Sequence, residues 1–167
     1  MSKTEEGLKE AFAGESQANR KYLAFAQKAD QEGFSQIAKI FRAAAAAETV
    51  HAHNHLKVLG GIKSTKENID AAIEGEHYEF TKMYPEFLDA AIKEGNKDAE
   101  RTFKYANEVE KVHHKLYSAA LEAIKSGKDL KKEDVYICPV CGYTHEGDPP
   151  DKCPVCGAAK KVFKQIT

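Results

Sequence analysis

The sequence predicts a mainly α protein: a four-helix bundle followed by a small domain of cysteine knuckles and short strands. Three observations predict it. Four stretches carry apolar residues at helical spacing, glycines mark the breaks between them, and all four cysteines fall in the last 30 residues. A chain of 167 residues can bury one full helical core and still carry an appendage.

The first helix is set by Leu8, Phe12, Glu15, Asn19, Tyr22, Ala26 and Ala29, spaced alternately by four and three. Ile37, Phe41, Ala44, Glu48, His51, His55 and Val58 set the second. Ile69, Ile73, Glu76, Phe80, Met83, Phe87 and Ala90 set the third, and Ala99, Phe103, Ala106, Glu110, His113, Tyr117, Ala120 and Ile124 the fourth. Breaks are expected at Gly33, Gly60-Gly61 and Gly95-Asn96, where glycine suits a helix C-terminus. The seams repeat in pairs: Glu15 precedes Glu48 by 33 positions and Glu76 precedes Glu110 by 34, and each second glutamate opens a Glu-x-x-His. The two halves read as copies of one helical hairpin.

Up to about Lys125 the chain is rich in Ala, Glu, Lys and Leu, with Pro85 its single proline. Four of the five prolines then fall between Cys138 and Pro154, which suits turns and short strands. The composition divides the chain into a bundle over 1–126, a charged linker over 127–134 and a cysteine domain over 135–167.

The net charge of −1 and pI near 6.7 leave no field to attract nucleic acid or anionic lipid. No apolar run approaches the roughly 20 residues of a membrane span. Met1–Glu6 is not followed by the apolar stretch of a signal peptide. Paired Cys-x-x-Cys spacing argues for thiolate ligands to a metal in a reducing cytoplasm.

The chemistry lies in where the carboxylates fall. Glu15, Glu48, Glu76 and Glu110 occupy core positions, and His51 and His113 follow on the same faces. Burying an ionised carboxylate costs several kcal/mol or more unless it is paired or bound to metal, so four such groups call for a shared cation. Two Glu plus two Glu-x-x-His is the ligand set of ferritin-like di-iron and di-manganese bundles. Glu74-x-x-His77 lies off the seam and reads as chance, and His53 and His114 read as solvated. His55 lies on the seam, with a packing or supporting role. Glu79, three after Glu76, makes a fifth carboxylate. A spare glutamate opposite a spare histidine would let one iron exchange ligands with its redox state, ferric iron preferring the harder oxygen.

Cys138-Pro-Val-Cys141-Gly and Cys153-Pro-Val-Cys156-Gly give a four-sulfur tetrahedral site, whose geometry holds zinc or iron. A redox-active bundle beside it favours iron, because zinc has no redox chemistry.

Together with Gly14-Glu15-Ser16-Gln17-Ala18-Asn19-Arg20-Lys21-Tyr22, Glu48-Thr-Val-His51, Glu76-His-Tyr-Glu79 and Glu110-Lys-Val-His113, these knuckles resemble the rubrerythrin family over nearly the whole chain. The resemblance implies a ferritin-like bundle with a rubredoxin-like tail that reduces hydrogen peroxide to water in defence against oxygen stress. It implies two carboxylate-bridged irons and one iron on Cys138, Cys141, Cys153 and Cys156. Electrons would come from NAD(P)H through a reductase, often with rubredoxin. Carried over, Glu48 and Glu110 bridge the irons, Glu15 is terminal on one, and Glu79 and His113 are terminal on the other. Glu76 and His51 become the alternative ligands of the first iron. Tyr22 and Tyr84 match tyrosines that hydrogen-bond ligand carboxylates; on spacing alone they read equally as core aromatics. An iron-storing ferroxidase and a binding module with structural zinc are the rival readings.

Chain lengths bear on assembly. In the ferritin-like arrangement helices two and three run the same way, so a long connection must return along the bundle. Residues 60–66 reach only about 25 Å when extended, while a helix from Ser35 to Leu59 is about 37 Å long. The expectation is a homodimer whose helical hairpins are exchanged about 60–66. A plain up-down-up-down bundle is the alternative.

Overall fold

Ser2 opens the first helix, its side chain accepting from the Glu5 backbone N–H at 3.2 Å. The computed structural model describes residues 2–167. Helix α1 runs Lys3–Gln31 and α2 Ser35–Val58. Gly33, Gly60 and Gly95, one at each of the three expected breaks, have positive φ, of 85°, 68° and 69°. Ser64 and Glu67 form a capping box at the start of α3, Thr65–Tyr78. A π-helical turn, Glu79–Met83, follows, then α4, Tyr84–Glu94. The predicted third helix is therefore α3, the π turn and α4 in succession. Asn96 caps α5, Lys97–Lys125, by accepting from the Ala99 N–H at 3.1 Å.

Compactness divides the chain into two units, the first ending at Lys63 and the second running Ser64–Thr167. In the first, α1 and α2 close on small residues: Ala26, Ala29 and Ala38 are buried with Phe41 packed against them, and Ala45 and Ala52 are buried further along α2. Asn19 is buried in the same seam, its Nδ2 donating to the Ala45 carbonyl at 2.7 Å and to Thr49 Oγ1 at 2.8 Å. Large side chains of this unit stay exposed, among them Ile37, Ile40, Val50 and Val58.

In the second unit α5 packs against α3 and α4. The third seam holds as predicted to Met83, half-buried like its neighbour Tyr84, and then slips by one. Ala91 is buried and Tyr84 and Leu88 are half-buried, whereas the expected Phe87 and Ala90 are exposed. The π turn is the reason, since it inserts one residue into the helical count. The tail is a three-stranded antiparallel sheet of β1 (Val135–Ile137), β2 (Thr144–Glu146) and β3 (Lys164–Ile166), ordered β2-β1-β3. Among the described residues no helix is long and apolar enough to cross a membrane.

Candidate metal centres

Each helical unit gathers one set of donors. In the first, Glu15 from α1 and Glu48 and His51 from α2 bring ligand atoms within 4.8 Å of one another. His51 Nδ1 lies 2.8 Å from Glu48 Oε2 and 3.9 Å from Glu15 Oε1. In the second, Glu76 from α3 and Glu110 and His113 from α5 do the same. His113 Nδ1 lies 2.7 Å from Glu110 Oε2 and 3.8 Å from Glu76 Oε2. The two sets are near-copies, as the internal repeat predicts.

Glu76 is pushed up to about 7 by burial, by its hydrogen bond to Glu110 and by that neighbour's charge. His113 is raised by its hydrogen bond to Glu110. Two half-buried carboxylates in contact, facing an imidazole held toward its cation, are a donor set that fits a divalent metal. Glu79 falls outside the tight group, yet lies near enough for Glu110 and His113 to act on it; burial and then Glu110 raise it. Tyr84 is raised by burial and then by Glu110, Glu79 and Glu76, so its phenol keeps its proton beside the carboxylates. Tyr84 also sits 6.3 Å from the Phe103 ring and 6.5 Å from Phe87. Its counterpart Tyr22 lies 6.2 Å from Phe41 and 6.3 Å from Phe25.

Of the remaining histidines, His53 is exposed, as expected. His114 is not: it is half-buried, its ring 5.5 Å from Phe80 and 5.8 Å from His77. A position off the seam is still covered where a neighbouring helix lies against it.

The tail brings Cys138, Cys141, Cys153 and Cys156 within 4.8 Å, all as free thiols. Sγ of Cys138 lies 3.6 Å from that of Cys156, and Cys141 3.5 Å from Cys153. A tetrahedron with 2.3 Å metal–sulfur bonds has edges of about 3.8 Å, so the thiols stand almost at ligating distance. The two knuckles are alike. Gly142 donates to the Cys138 carbonyl at 2.8 Å and Gly157 to the Cys153 carbonyl at 2.9 Å, and both glycines have the positive φ that the tight turn requires. Burial pushes the Cys141 thiol up. At Cys153 burial acts the same way but is outweighed by backbone N–H groups of Cys156 and Val155, which hold it below the usual thiol value.

The profile of the rubrerythrin family matches residues 6–121, and that of the rubredoxin-like domain of rubrerythrins matches residues 136–164. The chain belongs to the rubrerythrin family. Rubrerythrin-2 of Clostridium acetobutylicum is 38% identical over 96% of this chain and 95% of its own length. Nigerythrin of Nitratidesulfovibrio vulgaris is 37% identical over 98% of this chain and 86% of its own length. A solved structure of mixed-valence nigerythrin covers 99% of this chain and 88% of its own, at TM-score 0.58 and 36% identity. A fully reduced, all-ferrous nigerythrin aligns with TM-score 0.59. This rubrerythrin-family chain thus carries both the Glu/His clusters of the family's di-iron site and its four-cysteine site.

One residue at this site had no signal in the sequence. Thr144 of β2 places Oγ1 3.0 Å from His113 Nε2. Nothing in helical spacing or in the knuckle motif connects positions 31 residues apart.

Proposed function

We propose that this protein is a peroxidase that reduces hydrogen peroxide to water, taking up two electrons and two protons per peroxide. The observation that carries the reading is the presence, in one chain, of two matched carboxylate–imidazole sets and a four-thiol site. Glu15, Glu48, His51, Glu76, Glu79, Glu110 and His113 would hold two irons, which when bound supply a two-electron reservoir and Lewis-acidic positions for peroxide. Cys138, Cys141, Cys153 and Cys156 would hold a single iron, suited to passing electrons singly. Tyr84 keeps its phenolic proton and can donate it in a hydrogen bond to a ligand carboxylate. The electrons are proposed to come from NAD(P)H through a reductase, with or without rubredoxin, in the reducing cytoplasm that paired Cys-x-x-Cys metal ligands favour.

Glu76 groups with His113 and Glu110, and Glu79 lies outside that group. This supports Glu76 as the fixed ligand beside His113 and Glu79 as the exchangeable partner of His51, the reverse of the roles that the resemblance implied. Each unit supplies only two tightly grouped carboxylates and one imidazole, so a complete site needs both sets. We propose that a homodimer with exchanged hairpins provides them, with the compositional domains 1–126 and 135–167 joined by 127–134.

The test is iron analysis with an anaerobic peroxide trace. Protein purified without oxygen should hold three irons per chain, be red when oxidised, bleach on reduction, and regain its colour when peroxide is added. A colourless tail that keeps stoichiometric zinc after growth in iron-replete medium would contradict the reading.

A further inference from the structure

The two histidines of the helical donor sets are held differently. Both turn Nδ1 to the glutamate three residues before them, at 2.8 Å for His51 and 2.7 Å for His113. His113 also meets Thr144 Oγ1 through Nε2 at 3.0 Å. No such partner of His51 Nε2 is found among the described residues, and its side chain is 53% exposed against 29% for His113.

Thr144 begins β2, in the cysteine-bearing tail, and its hydroxyl donates to the Gly142 carbonyl at 3.3 Å. A hydroxyl has one proton. With that proton directed to Gly142, Oγ1 can only accept from His113, so Nε2 carries an N–H. Nδ1 is the nitrogen left facing Glu110 and Glu76, where a metal ion can replace its proton. Gly142 directly follows Cys141. A Cβ placed on Gly142 would lie 3.7 Å from Val109 Cγ1, so the first knuckle seats on α5 one turn before His113. Ligating histidines usually have the second ring nitrogen fixed by an acceptor, which sets both tautomer and ring plane.

We propose that Thr144 is the positioning residue of His113, so that the four-cysteine tail orders a ligand of the helical metal site as well as carrying a metal of its own. The proposal rests on the di-iron reading above. It makes the two histidines unequal: His113 is held at both ring nitrogens, while His51 is held at one and can turn away. It also gives the tail's docking a chemical consequence. The hydroxyl that fixes His113 is bonded to the carbonyl next to Cys141, which leaves two hydrogen bonds between the ligands of the two centres.

Thr144→Val removes the hydroxyl and keeps the shape of the side chain; Thr144→Ser restores the hydroxyl. In full-length protein loaded with zinc, a diamagnetic stand-in, nitrogen-15 spectra read the solvent exchange of the His113 Nε2–H. Anaerobic titration with ferrous iron reads the affinity of the helical site. The parent and Thr144→Ser should share a protected Nε2–H and the same affinity. Thr144→Val should lose the protection and bind ferrous iron about 10-fold or more weakly, with the visible spectrum of the iron-loaded tail unchanged. Parent-like affinity or protection in Thr144→Val overturns the proposal, as does a Thr144→Ser protein as impaired as Thr144→Val. Failure of the parent itself to bind ferrous iron at the Glu/His sets would overturn the di-iron reading instead, which keeps the two failures apart.

Discussion

Glu76 and Glu110 lie in hydrogen-bonding contact, so a proton between them does what a cation does: it lets two half-buried carboxylates face one another. This has a pH consequence once metal is removed by chelation. Glu76 is raised from 4.5 to about 7 in the folded chain, so its contribution to stability is complete below the unfolded value and lost as pH rises through about 7. His113 is raised as well, and its contribution is likewise present at low pH and lost as pH rises through its folded value. The two shifts have the same sign. Chelated protein should therefore melt at a higher temperature at pH 5.5 than at pH 8, and calorimetry showing the opposite order would refute it. Added divalent metal should restore stability at pH 8, because its ligands bind deprotonated. The donor residues were legible in the sequence, since ionisable groups at core positions need a partner whatever the fold. The division of labour between Glu76 and Glu79 was not. They lie one helical turn apart on one side, and only the packing of α3 on α5 brings Glu76 to His113. Glu110→Ala should accordingly cost bound iron, whereas Glu79→Ala should keep both irons of the helical site and slow reoxidation by peroxide. Iron analysis that found both variants equally depleted would remove the distinction.

Helical elements were legible from seams and glycines, but the π turn at Glu79–Met83 was not, because threes and fours can be counted straight through it. The signal lay in the internal repeat. Tyr22 follows Glu15 by seven residues and Tyr84 follows Glu76 by eight, while Phe41 to Glu48 and Phe103 to Glu110 are both seven. Even so, the aromatic triads match: Phe25 and Phe41 are 5.6 Å apart, as are Phe87 and Phe103. One extra residue in the second copy is absorbed by the wider turn, in which the Tyr84 N–H reaches the Glu79 carbonyl. Pro85, at the first turn of α4, has no N–H to offer the helix and suits this break. Glu79 heads the turn, so the insertion that shifts the seam also sets the fifth carboxylate where the helix is least regular. Deleting the exposed Lys82 together with Pro85→Ala should convert the segment to continuous α-helix and keep the Tyr84–Phe87–Phe103 triad. Its melting temperature should hold or rise, while the exchange of Glu79 with His51 is lost, read as slower reoxidation of the ferrous protein by peroxide. A collapse in helical content by circular dichroism would show that the turn is required for folding itself.

The length of the link between α2 and α3 bears on whether one chain or two supply the helical site. Helix α2 has 24 residues and is about 36 Å long. Residues 59–64 join it to α3, and even fully extended they separate Val58 from Thr65 by about 25 Å. A ferritin-like arrangement asks that connection to return along the helix, and it is too short to do so comfortably. Exchange between two chains would remove the demand: the first hairpin of each chain would pair with the second hairpin of the other, and two-fold symmetry would close the assembly. Apolar side chains left exposed on the first unit, Ile37, Ile40, Val50 and Val58 among them, are the kind of surface that such pairing covers. Complementation between defective chains tests the exchange directly. Glu48→Ala disables the donor set of the first hairpin, and Glu110→Ala that of the second, so each homodimer should be inactive. In an exchanged heterodimer of the two, one site combines both defects and the other combines the intact first hairpin of the Glu110→Ala chain with the intact second hairpin of the Glu48→Ala chain. Co-refolding equal amounts should then return activity, up to one working site per heterodimer. If each chain instead completes its own site, every site keeps one defect and no activity returns. Separately tagged chains establish that heterodimers are present, so a silent but verified heterodimer rejects the exchange and leaves the up-down-up-down bundle in its place.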